Sequence, residues 1–282
     1  MKSATERGGA AETETGASRL RRVLHSRPLG LFVDTDGTIS PLAATPQSAV
    51  VSPEAKALLR QLSTRIHVVV ISGRTLVDVR RMVGLSGVTY VGSHGLATWI
   101  DGREELDDSV RPYVGYARQA MAELASLRRI NGILFEEKGT GIGIHYRLAR
   151  DRDEARSAIL RGIAASGSAA HFDLLEGIRV IELRPRLGIN KGTSVRALVN
   201  RFRLEGLIYV GDDITDVEAF EAIRDTQSGG RIDGLAIAVR HGEASPLVEA
   251  AADYAVDGVE GVVSLLGFIA RSVGFMPAPA DR

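Results

Sequence analysis

Cysteine is missing from all 282 residues, which excludes disulfides and thiolate metal sites. An excess of either charge is missing too. Lys plus Arg equals Asp plus Glu at 35 each, so no global field draws nucleic acid, and any anion binding has to be local. Long apolar runs are also lacking. Residues 1–30 hold no continuous hydrophobic stretch of the kind secretion requires. The longest apolar run near the end, GVVSLLGFIARSV, is too short to span a bilayer and reads as a final helix. These absences predict neither a membrane nor a nucleic-acid partner and leave the cytoplasm as the default location. What is present, 44% hydrophobic and 25% charged residues, suits an ordinary globular chain of one large domain or two modest ones.

Residues 1–27 read as a disordered leader. From Gly30 a regular alternation begins: the apolar GLFV, then SPEAKALLRQLSTR with Ser52 as N-cap and Pro53 at the first helical position, then the apolar IHVVVI, a helix pattern over TLVDVRRMVG, and the short VTYVGSHG. Strand and helix alternating at this spacing predict a parallel sheet wrapped by helices. Between residues 108 and 185 the pattern changes to helix, strand pair, helix, strand pair, which predicts an inserted α+β cap. After Pro185 the first pattern resumes with NKGTSVRALVNRF and GLIYVGDDIT. The expected organisation is therefore a doubly wound α/β core over 28–107 and 186–282, interrupted by a cap over 108–185.

In a doubly wound sheet, ligands gather outside the carboxyl ends of the strands. There this chain places Asp34 and Asp36 after the first strand, Ser72, Gly73 and Arg74 after IHVVVI, and Asp212, Asp213 and Asp216 after LIYVG, with Lys191 opening the preceding helix. So many carboxylates in one crevice repel one another unless a cation sits among them. An oxygen-only site suits Mg²⁺. Lysine, hydroxyl and glycine-rich backbone N–H groups suit a phosphate, so the set reads as a phosphoryl-transfer site. Each part alone has a plainer reading. Asp-Gly after a strand is a turn signal, GDDITD a solvated helix cap, Ser72 an N-cap for TLVDVRR, His94 a satisfied loop histidine. An EF-hand fails, because the positions that need glycine and glutamate hold Ile39 and Thr45.

DTDGT, Ser72, Lys191 and GDDITD, in that order, resemble the haloacid-dehalogenase superfamily of aspartyl-phosphate enzymes. The resemblance implies that Asp34 is the nucleophile and Asp36 the acid/base, with phosphate contacts at Thr35, Ser72 and Lys191. It implies Mg²⁺ held by Asp34, the Asp36 carbonyl and Asp212, with Asp213 and Asp216 in support. SGR, GSHG, EEK, HYR, ELRP and NKG narrow the likeness to trehalose-6-phosphate phosphatases, over about Leu31 to Phe220. That family implies sugar contacts from Glu136, Lys138 and Glu182 in the cap and from Arg74 and His94 in the core. It also implies a small sugar-phosphate substrate and functional pairing with a disaccharide-phosphate synthase. Two departures stand out: Gly141 where the family usually has serine, and Val217–Glu218 where it usually has an acidic pair. The cap departure keeps another sugar or pseudo-disaccharide phosphate as a rival substrate. A non-catalytic partner of a synthase is a weaker rival, since Asp34, Asp36, Lys191 and Asp212 are all retained. The alternating glycines of GTGIGIHY match no phosphate loop, and His145 and Arg147, sharing one strand face, both face the crevice or both face solvent.

Overall fold

The computed structural model describes residues 16–274. The elements run α1 Gly16–His25, β1 Leu29–Val33, α2 Pro53–Leu62, β2 His67–Ile71, α3 Leu76–Val83, β3 Thr89–Gly92, β4 Ala97–Ile100 and β5 Arg103–Leu106. The chain then builds α4 Arg111–Glu123, β6 Leu134–Glu137, β7 Ile142–His145, α5 Arg152–Ala165, β8 Phe172–Gly177 and β9 Val180–Pro185. It returns through α6 Lys191–Phe202, β10 Gly206–Gly211, α7 Ile214–Ser228, β11 Asp233–Arg240, α8 Pro246–Ala251, β12 Tyr254–Asp257 and α9 Gly258–Ser272.

Eight strands form one sheet in the order β12-β11-β10-β1-β2-β3-β4-β5, parallel from β12 to β3. β1 is the switch point: the chain winds outward through β2 and β3 on one side and through β10, β11 and β12 on the other. The register sets Val33 level with both Val210 and Val70, so the segments that follow β1, β10 and β2 emerge side by side. The sequence pattern did not foresee β4 and β5, an antiparallel hairpin that extends the sheet; its ATWI and REEL are too short and too polar to stand out.

Alternation along each strand sends residues to two cores. Leu31, Val33, Val68, Val70, Ile208 and Val210 pack on one face with residues of α2, α3 and α9. Phe32, Val69, Ile71, Leu207 and Tyr209 pack on the other with α6 and α7. Burying side chains of this size is worth about 1.5–3 kcal/mol each, so the sheet holds its strand ends in fixed relation. The expected leader needs correcting in its described part: residues 16–25 are helical, and Leu20, Val23 and Leu24 of that helix join the first core. Residues 1–15 lie outside the described residues.

The four strands between α4 and Lys191 form a separate antiparallel sheet, ordered β6-β7-β9-β8, with its own apolar core against α4 and α5. Glu136, Gly143 and Glu182 are cross-strand neighbours in it, on the face turned away from Ile142, Ile144, Ile181 and Leu183. The final apolar stretch is the helix α9, and among the described residues no helix is long and apolar enough to cross a membrane.

Candidate active site

At the carboxyl end of β1 the backbone N–H of Asp34 donates to Val210 O at 2.9 Å, which ties the two acidic loops together. Gly37 lets them close further. Its φ of +85° suits glycine, and a Cβ there would stand 2.0 Å from Asp212 Oδ2. Thr38 Oγ1 donates to Asp212 Oδ1 at 2.8 Å, so the last part of DTDGT orients the third carboxylate.

Lys191 leaves Asn190, whose side chain caps α6 by accepting from Thr193 N at 2.8 Å, and its ammonium is only 2% exposed. It donates to Asp34 Oδ1 at 2.8 Å and to Asp216 Oδ1 at 2.7 Å. Asp216 is fully buried and saturated. Besides Lys191 it accepts from Tyr209 Oη at 2.7 Å and, on Oδ2, from the backbone N–H groups of Asp212 and Asp213 at 3.0 Å each.

Asp34, Asp212 and Asp216 can bring one oxygen each within 4.8 Å of one another. A single lysine among three buried acids leaves excess negative charge. Burial pushes the Asp34 carboxyl well above its ordinary value, Lys191 opposes this, and Asp216 and Asp212 add to it. Burial, with Asp216 and Asp213 adding, moves Asp212 up to about 6 against the bonds from His241 and Thr38. Lys191 stays protonated: burial disfavours its charge, but Asp216 and Asp34 outweigh that and raise it well above the usual lysine value. The oxygen-only donor set and the uncompensated charge fit a hard divalent cation between Asp34 and Asp212. Asp216, with four donors already, is suited to anchor its neighbours instead of ligating.

Asp36 turns the other way. Arg74 grips both of its oxygens, Nε to Oδ2 at 2.6 Å and Nη2 to Oδ1 at 2.7 Å, and also donates to Pro46 O at 2.7 Å. The guanidinium expected beside the sugar is therefore spent mainly on aiming Asp36. Thr35 and Ser72 share a hydroxyl bond of 2.6 Å. Thr35 is wholly buried beneath the cleft, so its side chain steadies Ser72 and Asp36. The helix-cap reading of Ser72 is overturned: Thr75 caps α3, accepting from Asp78 N at 3.2 Å.

From the second sheet, Lys138 and Glu182 reach across to the core, while Glu136 lines the cleft and pairs with His145 Nε2 at 2.8 Å. Lys138 Nζ donates to Gly73 O at 2.8 Å and to Glu182 Oε1 at 2.5 Å, while Glu182 Oε2 meets His94 Nε2 at 2.7 Å. Gly143 leaves room for the Glu136 and His145 pair, since a Cβ there would lie 3.1 Å from Glu136 Oε2 and 3.4 Å from His145 Nε2. That is the physical use of a glycine in GTGIGIHY. Burial raises the Glu182 carboxyl, but Lys138 and His94 outweigh it and hold Glu182 well below the usual range. Burial pulls His94 down despite Glu182, so at neutral pH the ring is neutral and donates from Nε2.

Asp34, Asp36, Ser72, Arg74, His94, Glu136, Lys138, Glu182, Lys191, Asp212 and Asp213 line one cleft, and Thr35 and Asp216 lie beneath it. His145 and Arg147 both face this cleft, settling the alternative left open by strand alternation. Tyr209, Thr38 and His241 also shape the site and were not anticipated. Thr38 could have been read from its place in DTDGT; Tyr209 looked like any strand aromatic, and His241 carries no motif.

The family model described as trehalose-phosphatase matches residues 32–260. A trehalose-phosphate phosphatase of Mycobacterium avium is 37% identical over 228 residues, covering 78% of this chain and 56% of that protein. The chain thus spans about half the length of the curated relatives it matches. The C-terminal domain of a C. albicans trehalose-6-phosphate phosphatase superposes with a TM-score of 0.77 at 20% identity, covering 91% of this chain and 96% of that one. A HAD subclass IIB sugar phosphatase gives 0.53 at 13% identity over 85% and 98%, and both share the fold. A family match across core and cap alike, joined to this arrangement of acids, shows that the chain belongs to the trehalose-phosphatase family and has the haloacid-dehalogenase fold.

Proposed function

We propose that this protein is a Mg²⁺-dependent phosphomonoesterase that hydrolyses trehalose 6-phosphate to trehalose and phosphate through an aspartyl-phosphate. The observation that carries the reading is the buried set Asp34, Lys191, Asp216 and Asp212 lying under polar side chains from a second sheet. An oxygen of Asp34 attacks phosphorus while the bond from phosphorus to the sugar oxygen breaks, and Asp36 gives that oxygen a proton. Asp36 then takes a proton from water, whose oxygen attacks phosphorus and returns Asp34 with inorganic phosphate. Lys191 and Ser72 hold the phosphoryl oxygens, and Arg74 keeps Asp36 directed. Asp34, the Asp36 carbonyl and Asp212 would hold Mg²⁺, which neutralises charge developing on the phosphoryl group.

Glu136, Lys138, Glu182 and His94 take the sugar hydroxyls. A substrate lacking those hydroxyls leaves buried polar groups unmatched, which is how such a site discriminates. On this reading the protein works in the cytoplasm, beside the synthase that makes its disaccharide phosphate. A related substrate is the second reading, favoured by Gly141: a Cβ there would meet Leu183 O at 2.7 Å, so the serine usual in the family has no room in the cap as it stands.

Phosphate release from a panel of sugar phosphates, with Mg²⁺ and with excess EDTA, tests both. Trehalose 6-phosphate is expected to turn over fastest and only with metal. Undiminished activity in EDTA rejects the mechanism, and a low rank for trehalose 6-phosphate rejects the substrate.

A further inference from the structure

The turn after β11 joins the second sheet to the acidic site through consecutive polar contacts. Arg147, just past β7, donates from Nη1 to both oxygens of Glu243 at 2.9 and 2.6 Å. Its Nη2 reaches Ile178 O, in the turn between β8 and β9, at 3.4 Å, so one guanidinium spans two cap loops and the core. Two residues before Glu243 stands His241. Its Nδ1 accepts from the Glu243 backbone N–H at 3.3 Å, and its Nε2 meets Asp212 Oδ2 at 3.0 Å. These partners assign the proton to Nε2, because Nδ1 faces a donor and Nε2 faces a carboxylate.

The turn is short and braced. Ala244 N donates to His241 O at 3.1 Å, and Ser245 caps α8 by accepting from Leu247 N at 3.3 Å. Glu243 therefore cannot shift far without moving the imidazole that holds Asp212. As a stability device the ion pair is poor, because Arg147 and Glu243 sit at the rim with side chains 20% and 42% exposed. A rim pair of this sort shifts an equilibrium by up to about fivefold. That is weak enough to release a cap at every turnover and strong enough to bias it shut.

We propose that residues 241–245 form a clasp that couples cap closure to the metal site: Glu243 catches Arg147, and His241 is a positioning residue for Asp212. The inference rests on the reading that Asp34 and Asp212 hold Mg²⁺. By linkage, whatever closure does for the metal, the metal does equally for closure.

The test is calorimetric titration of the full-length protein with MgCl2 alone, paired with amide hydrogen exchange over residues 134–147 and 177–183. His241→Ala is expected to raise the Mg²⁺ dissociation constant about tenfold or more, as loss of a residue that orients a ligand does. Glu243→Gln and Arg147→Glu are expected to raise it about two- to fivefold and to speed exchange in the cap segments. The charge swap Arg147→Glu with Glu243→Arg restores both readouts, which a merely structural role does not produce. Wild-type binding of Mg²⁺ with all variants within twofold of it, or a swap that rescues nothing, overturns the clasp. A wild-type protein that binds no Mg²⁺ overturns the metal assignment beneath it.

Discussion

Replacing Asp216 by asparagine changes one atom in the most enclosed part of the site, and the geometry dictates the cost. All four groups around the carboxylate are donors: Lys191 Nζ and Tyr209 Oη on Oδ1, the N–H groups of Asp212 and Asp213 on Oδ2. An amide offers one oxygen. Whichever way it turns, its NH2 faces two donors, so two bonds to a charged acceptor are lost and replaced by donor against donor. At roughly 1.5–3 kcal/mol for each such bond, Asp216→Asn is expected to destabilise by about 3–6 kcal/mol. That is a large share of the 5–15 kcal/mol typical of a folded chain. At about 2 °C per kcal/mol for a chain of this length, Tm falls by about 6–12 °C. Urea unfolding followed by circular dichroism in EDTA measures this without stabilisation by bound metal. Tyr209→Phe, which removes one donor of the four, should cost about 1.5–3 kcal/mol in the same assay. A loss below about 1 kcal/mol for Asp216→Asn, or one no larger than that of Tyr209→Phe, refutes the assignment of Asp216 as an all-acceptor anchor.

Asp34→Asn should behave in the opposite way, cutting phosphate release on the order of 10³-fold or more while leaving Tm unchanged or higher, because it removes charge from a site with three acids and one lysine. A fall in Tm matching that of Asp216→Asn contradicts this. Glu182, held well below the ordinary glutamate value, contributes stability that is fully present above about pH 4.3, its unfolded value, and is lost as pH falls through its folded value. The unfolding free-energy difference between wild type and Glu182→Gln should thus shrink from pH 5 to pH 3, and a constant difference over that range rejects the assignment. Gly141→Ser should cost about 1–3 kcal/mol by urea unfolding, since its Cβ would press to 2.7 Å from Leu183 O and the strand must give way. A neutral substitution there would show that the cap accommodates the serine.

The positions of the candidate acids were legible because they sit at strand ends in a doubly wound sheet, where chain order alone predicts a shared crevice. Asp34 and Asp212 meet because β1 and β10 pair in parallel with Val33 level with Val210, and that pairing follows from apolar runs visible in the sequence. The cap's strand pairs were legible for the same reason. Side-chain commitments were not. Nothing in SGR tells that Arg74 clamps Asp36, nor that Thr75 instead of Ser72 caps α3, because hydrogen-bond partners are chosen by angle and distance.

Residue types and their order already limit the available chemistry: oxygen ligands without thiols, a paired aspartate, a lysine at a helix start, and apolar periodicities that set two sheets. How those groups divide their work depends on the packed chain. It saturates Asp216 while leaving Asp34 and Asp212 with unbalanced charge, turns Asp36 toward Arg74, and brings His241 and Glu243 between site and cap. The physical reason is that periodicity encodes which face of a strand or helix is apolar. The partners of a buried polar atom come from distant segments, 157 residues apart for Lys191 and Asp34 and 174 for Thr38 and Asp212, and only the packed chain sets their distance.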